Sequence, residues 1–117
     1  MKFKYFSVDE FKCPCCGANL ISEELIERLD QARELAGVPF TVSSGYRCKE
    51  HNAAVGGSST SSHLLGLAVD IVVDGGSNRF KVVDALLKVG FTRVGVAKSF
   101  VHADIDKAKV QNVLWTY

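Results

Sequence analysis

From Ser61 to Val73 the chain reads SSHLLGLAVDIVV. A polar, serine-rich run delivers His63, and seven positions later Asp70 interrupts an apolar segment that reads as a buried strand. A buried carboxylate without a partner is costly, so a metal ion or a cationic side chain would explain its position. Strand alternation puts Leu67, Val69 and Ile71 on one side and Gly66, Ala68, Asp70 and Val72 on the other. The small neighbours of Asp70 leave room beside it for an ion or a substrate.

A second stretch near the C-terminus repeats the pattern. In FVHADI the same period of two sets Phe100, His102 and Asp104 on one face and Val101, Ala103 and Ile105 on the other. The apolar residues have their own side, and His102 and Asp104 share a face that a cleft can use. Two histidines and one carboxylate are ligands that catalytic zinc accepts, with a fourth position left for water. The ion makes such a water acidic enough to attack a carbonyl near neutral pH. The residues alone leave a plainer reading open, in which each histidine is a hydrogen-bonded structural group and Asp70 pairs with an arginine.

The rest of the chain supplies a frame for these residues. Ser7 and Glu10 have capping-box spacing and predict a short helical turn before the cysteines. From Ser22, SEELIERLDQAREL places Leu25, Ile26, Leu29, Ala32 and Leu35 on one face of a helix stopped by Gly37. FTVSS reads as a strand, KEHNAAV as a short helix, and GGSSTSS as a surface loop that hands the chain to His63. After DGGSN a second helix carries Phe80, Val83, Leu86 and Leu87 at helical spacing. TRVGVA and FVHADI are strands, VQNVLWTY is a last strand or an anchoring tail, and Trp115 reads as core or edge packing. This order predicts an α+β fold, a small, mostly antiparallel sheet backed by helices, in a single domain over residues 1–117.

A net charge of +1 gives no field that would draw nucleic acid or an acidic membrane surface. No stretch of about eighteen apolar residues is present, which excludes a membrane insertion, and the N-terminus shows no signal peptide. The expectation is a monomer made in the cytoplasm. Cys13, Cys15 and Cys16 crowd together, with Cys48 far away in sequence. The paired C-x-x-C knuckles usual for zinc are missing, so a closed thiolate site, one or two disulfides involving Cys48, and free thiols all stay open.

SSGYRCKEHNAAVGGSSTSSHLLGLAVDI followed by FVHADI closely resembles the M15 family of zinc peptidases that cut peptidoglycan stems, especially its small phage and bacterial branch. The S-G-Y-R, S-x-H-x-x-G-x-A-x-D and F-V-H-x-D elements occur in order, and FSVDEFKCPCCG also looks like that branch. The resemblance implies a hedgehog-like D-Ala-D-Ala peptidase fold, one catalytic zinc ion on His63, Asp70 and His102, and Arg47 in the active site. A guanidinium there suits a substrate carboxylate or a developing oxyanion. Ser61 and Tyr46 stand near the site by the same reasoning. The family's usual general base lies three positions before the last histidine, where this chain has Ser99. Asp104 is then either the base or a carboxylate that orients an imidazole, with His51 and Glu50 as weaker candidates. The activity expected is hydrolysis of an amide bond in a peptidoglycan stem peptide at the cell wall, by a phage or prophage enzyme. The rival is a non-catalytic, zinc-containing wall-binding or interaction module of the same fold.

Overall fold

The computed structural model describes residues 3–117. Its elements run in the order of a 3-10 turn (Val8–Phe11), α1 (Glu23–Ala36), β1 (Thr41–Ser44), α2 (Lys49–Ala54), a second 3-10 turn (Ser62–Leu65), β2 (Ala68–Val72), α3 (Gly75–Lys88), β3 (Arg93–Val96), β4 (Phe100–Asp104) and β5 (Val113–Thr116). The five strands form one sheet in the order β1-β2-β4-β3-β5. Three neighbouring pairs are antiparallel, and β5 joins β3 in parallel, which makes the sheet mixed.

Local chemistry sets the boundaries. The Glu10 carboxylate accepts the Ser7 N–H at 2.7 Å and closes the first turn. Ser22 caps α1 by accepting the Leu25 N–H, and Gly37 ends it at φ 70°, a conformation that glycine adopts without strain. Leu25, Ile26, Leu29 and Ala32 are buried in the core, as their spacing predicts, but Leu35 is 56 % exposed in the last turn of the helix.

The buried face of α3 differs from expectation. Val82, Ala85 and Leu86 are buried, with Val89 packed against the same core, while Phe80 and Leu87 face outward. The two stripes have similar helical spacing and share Leu86, so the sequence admits both, and docking on the sheet selects the one with the smaller side chains. The core joins these residues to Val69 and Ile71 of β2, Val94 of β3, and Val101 and Ala103 of β4. Among the described residues, no helix is long and apolar enough to cross a membrane.

One row of partners crosses all five strands. Ser44 stands opposite Asp70, Asp70 opposite His102, His102 opposite Gly95, and Gly95 opposite Trp115. The row points away from α1 and α3, because its neighbours Ile71, Val101 and Val94 point into the core shared with those two helices.

Candidate metal centre

Direct pairing of Asp70 with His102 across β2 and β4 brings their side chains together. His102 Nδ1 lies 2.9 Å from Asp70 Oδ1. His63 reaches the same oxygen from the 3-10 turn, its Nε2 at 3.4 Å. That turn is held by the Ser61 hydroxyl, which accepts the His63 N–H, and by Gly66 at φ 70°, where a Cβ would run into the Leu20 carbonyl. The two imidazoles meet edge to face, with centroids 5.2 Å apart.

The far nitrogen of each ring has its own partner. His63 Nδ1 sits 2.7 Å from the Gly45 carbonyl, and His102 Nε2 sits 2.8 Å from Asp104 Oδ2. A carbonyl only accepts, so the neutral His63 ring carries its proton on Nδ1 and turns a bare lone pair toward an oxygen of Asp70. An acceptor facing an acceptor in a buried site calls for a cation between them. The same arrangement, a ligating nitrogen in front and a carbonyl or carboxylate behind, is how proteins set the tautomer of metal-binding histidines. The donor set of His63, Asp70 and His102 therefore fits a divalent ion such as zinc.

Electrostatics point the same way. Burial pushes the Asp70 carboxyl up, but the hydrogen bond with His102 and the adjacent His63 ring outweigh it and hold the group well below the usual carboxylate range. Burial pushes His102 down, and the carboxylates of Asp104 and Asp70 overcome that and raise it. Without a metal, the two carboxylates flanking His102 favour its protonated form.

Asp104 is 1 % exposed, and both of its oxygens are engaged. Oδ2 meets His102, while Oδ1 accepts Arg93 Nε at 2.7 Å and the Asp106 N–H at 3.1 Å. Burial pushes this carboxyl up too, and His102, the Asp106 N–H and Arg93 bring it below its ordinary value. Arg47 enters from the loop after β1. Its guanidinium donates to Ser44 Oγ at 2.9 Å, to Asn52 Oδ1 at 3.2 Å and to Asp70 Oδ2 at 3.3 Å.

These groups line an open cavity of about 380 Å³, whose rim also carries Ser58, Ser61, Lys109 and Tyr117. Tyr46, Glu50, His51 and Ser99 do not line it. Ser99 is exposed, and its carbonyl accepts the Val73 N–H. Trp115 does pack on an edge strand, but it also borders the cavity, with its ring 5.4 Å from His102. A Cβ at Gly95 would overlap the indole, so glycine in β3 is what lets the tryptophan lie beside the site. Arg93 and Asn52 escape a reading of the sequence alone. The signal for Arg93 was the one that marked Asp70, a charged residue inside an apolar strand.

At the opposite end of the SGYR segment the four cysteines converge. Cys15 Sγ lies 3.2 Å from Cys48 Sγ and 3.5 Å from Cys13 Sγ, and Cys13 lies 3.6 Å from Cys48. All four are unbonded thiols.

An α+β domain with a histidine–carboxylate cluster in an open cleft is compatible with a small hydrolase domain. Residues 4–106 match the family described as Peptidase M15, and the chain belongs to that family. No curated protein matches it.

Proposed function

We propose that the protein is a zinc metallopeptidase that hydrolyses an amide bond in peptidoglycan stem peptides, as a terminal D-Ala-D-Ala carboxypeptidase or as an endopeptidase, on the hedgehog-like fold of that group. One observation carries the reading: His63 Nε2, Asp70 Oδ1 and His102 Nδ1 converge in a cleft beside the Arg47 guanidinium. Zinc, when bound, supplies the Lewis acidity that polarises a carbonyl and acidifies a water.

The chain's own groups do the rest. The Gly45 carbonyl and Asp104 keep the protons of His63 and His102 on the nitrogens that face away from Asp70. Arg47 sits where its fork of donors can receive a substrate carboxylate or an oxyanion, and Ser44 and Asn52 hold it there. With both oxygens occupied, Asp104 acts as a positioning residue for His102 and not as the general base. The wall is the site of action in this reading, and a phage or prophage lysis enzyme is the natural setting.

A second reading has its own support. Among the described residues, every carboxylate lining the cleft is already paired, and the position three before His102 is the exposed Ser99. That favours a zinc-containing module that binds the wall without cutting it. Zinc-loaded protein incubated with purified peptidoglycans of several stem chemistries, with a chelated sample alongside, separates the two. Chelator-sensitive fragments identified by mass spectrometry establish the peptidase and name its bond. Retained zinc with no fragments from any wall establishes the second reading.

A further inference from the structure

The four thiols lie outside the cleft and have no part in the chemistry above. Cys13, Cys15 and Cys16 stand on one tight turn, closed by the Gly17 N–H on the Cys13 carbonyl and by the Cys13 N–H on the Ala18 carbonyl, both at 2.8 Å. Gly17 takes φ 75°, which lets the turn fold back under the sulfurs. Cys48 comes from the other side, at the start of α2 and next to Arg47. All four sulfurs lie within 4.8 Å of one another. A zinc–sulfur bond of about 2.3 Å gives a tetrahedral sulfur–sulfur edge of about 3.8 Å, close to the separations seen here. A disulfide needs only two such groups, drawn to about 2.05 Å, and would leave the other pair without a role.

Backbone donors already face this cluster. The Cys48 N–H points to Cys13 Sγ at 3.5 Å, and the His51 N–H to Cys48 Sγ at 3.4 Å. Such contacts favour thiolate over thiol. Cys13 is fully buried beneath the exposed Cys15 and Cys16, so an ion here would be closed off by protein on one side only.

We propose that Cys13, Cys15, Cys16 and Cys48 hold a structural zinc ion of their own, separate from the histidine centre. It staples the N-terminal arm to the segment that carries Arg47. Each thiol that binds gives its proton to solvent, and no electron is transferred. The staple acts where the arm already docks. The Tyr46 N–H donates to the Phe11 carbonyl at 2.8 Å, and a Cβ at Gly45 would collide with the Phe11 backbone. Gly45 also supplies the carbonyl that holds His63, so a firm arm fixes both Arg47 and one candidate ligand.

The test needs no hydrolysis assay, so it stands or falls apart from the peptidase reading. Protein is purified reduced and without chelator, and its zinc is counted for the wild type and for the double variant His63→Ala/His102→Ala. The expected counts are about two equivalents per chain and about one. The zinc left in the double variant should be released by an organomercurial thiol reagent. Cobalt in its place should show sulfur-to-metal charge transfer in the near ultraviolet. In the wild type the same reagent should release about half of the zinc, which covers the case of a double variant that does not fold. A folded double variant without zinc would overturn the proposal. So would wild-type zinc that the mercurial leaves in place, or an intact mass lower by about 2 or 4 Da from disulfides in the protein as isolated.

Discussion

Replacing Asp104 by Asn changes one atom of a buried residue and none of its shape, yet it should disable the histidine centre. The carboxylate receives His102 Nε2–H on one oxygen and Arg93 Nε–H with the Asp106 N–H on the other. Asparagine has one oxygen for these two sides. If that oxygen stays with Arg93 and Asp106, the amide N–H₂ points at His102 Nε2 and forces the ring proton onto Nδ1, the atom that faces Asp70. If the amide flips, a donor faces the Arg93 donor in a site that is 1 % exposed. Losing one partner of a buried charged network destabilises by about 3 kcal/mol. Loss of the carboxylate behind a metal-binding histidine weakens the metal by about 10–100-fold. Denaturant unfolding of chelated protein reads the first quantity, and competition with a chromogenic chelator reads the second at the histidine site. Nitrogen NMR of the imidazoles reports which nitrogen carries the proton. An Asp104→Asn protein with unaltered zinc affinity and an Nε2–H tautomer, but turnover lost by about a thousandfold, would refute the positioning role and make Asp104 the proton-transfer group.

Arg47→Lys keeps the charge but loses the planar fork, so zinc content should hold while kcat/KM on stem peptides falls about 100-fold. Gly95→Ala would set a methyl group into the indole of Trp115, the single tryptophan. The expected result is a loss of about 1–3 kcal/mol in denaturant unfolding, with a red shift of tryptophan emission in the folded state. In chelated protein the raised His102 contributes stability that is complete below its ordinary value of 6.5 and is lost as pH climbs through the raised one. Asp70 and Asp104, both depressed, contribute stability that is complete above 3.8 and is lost as pH falls through their lowered values. Unfolding midpoints across pH should therefore peak between about 4 and 6.5 without metal, and zinc should move that optimum upward, because it replaces the proton at His102 Nδ1.

Much of the cleft was legible because strands encode their faces with a period of two. Val69 and Ile71 against Asp70, and Val101 and Ala103 against His102 and Asp104, announce which side is core. The helix α1 was readable for a similar reason, with an N-cap, a stripe and a terminal glycine in agreement. What the chain did not disclose is set by contacts between distant segments. That Asp70 faces His102 depends on the register of two strands separated by a helix and another strand. The Gly45 carbonyl behind His63 is a backbone group, which carries no residue signature. The outward turn of Phe80 follows from α3 docking on a different stripe, a choice that the sheet makes. Whether the four cysteines converge depended on where the loop after β1 travels, so spacing in the sequence could not decide it.

The row from Ser44 to Trp115 also works as a proofreading device for folding. A slip of one residue between β2 and β4 would turn Asp70 into hydrocarbon and Ile71 into the cleft, so a misregistered sheet suffers an immediate electrostatic penalty. His102 and Asp70 are 32 residues apart in sequence, which makes their meeting a late, long-range event. An ion that needs both can recognise only chains whose sheet has closed in the right register. If the histidine centre binds zinc as proposed, available metal acts as a selector among compact states, and it should raise the yield of correctly refolded protein without changing the final structure.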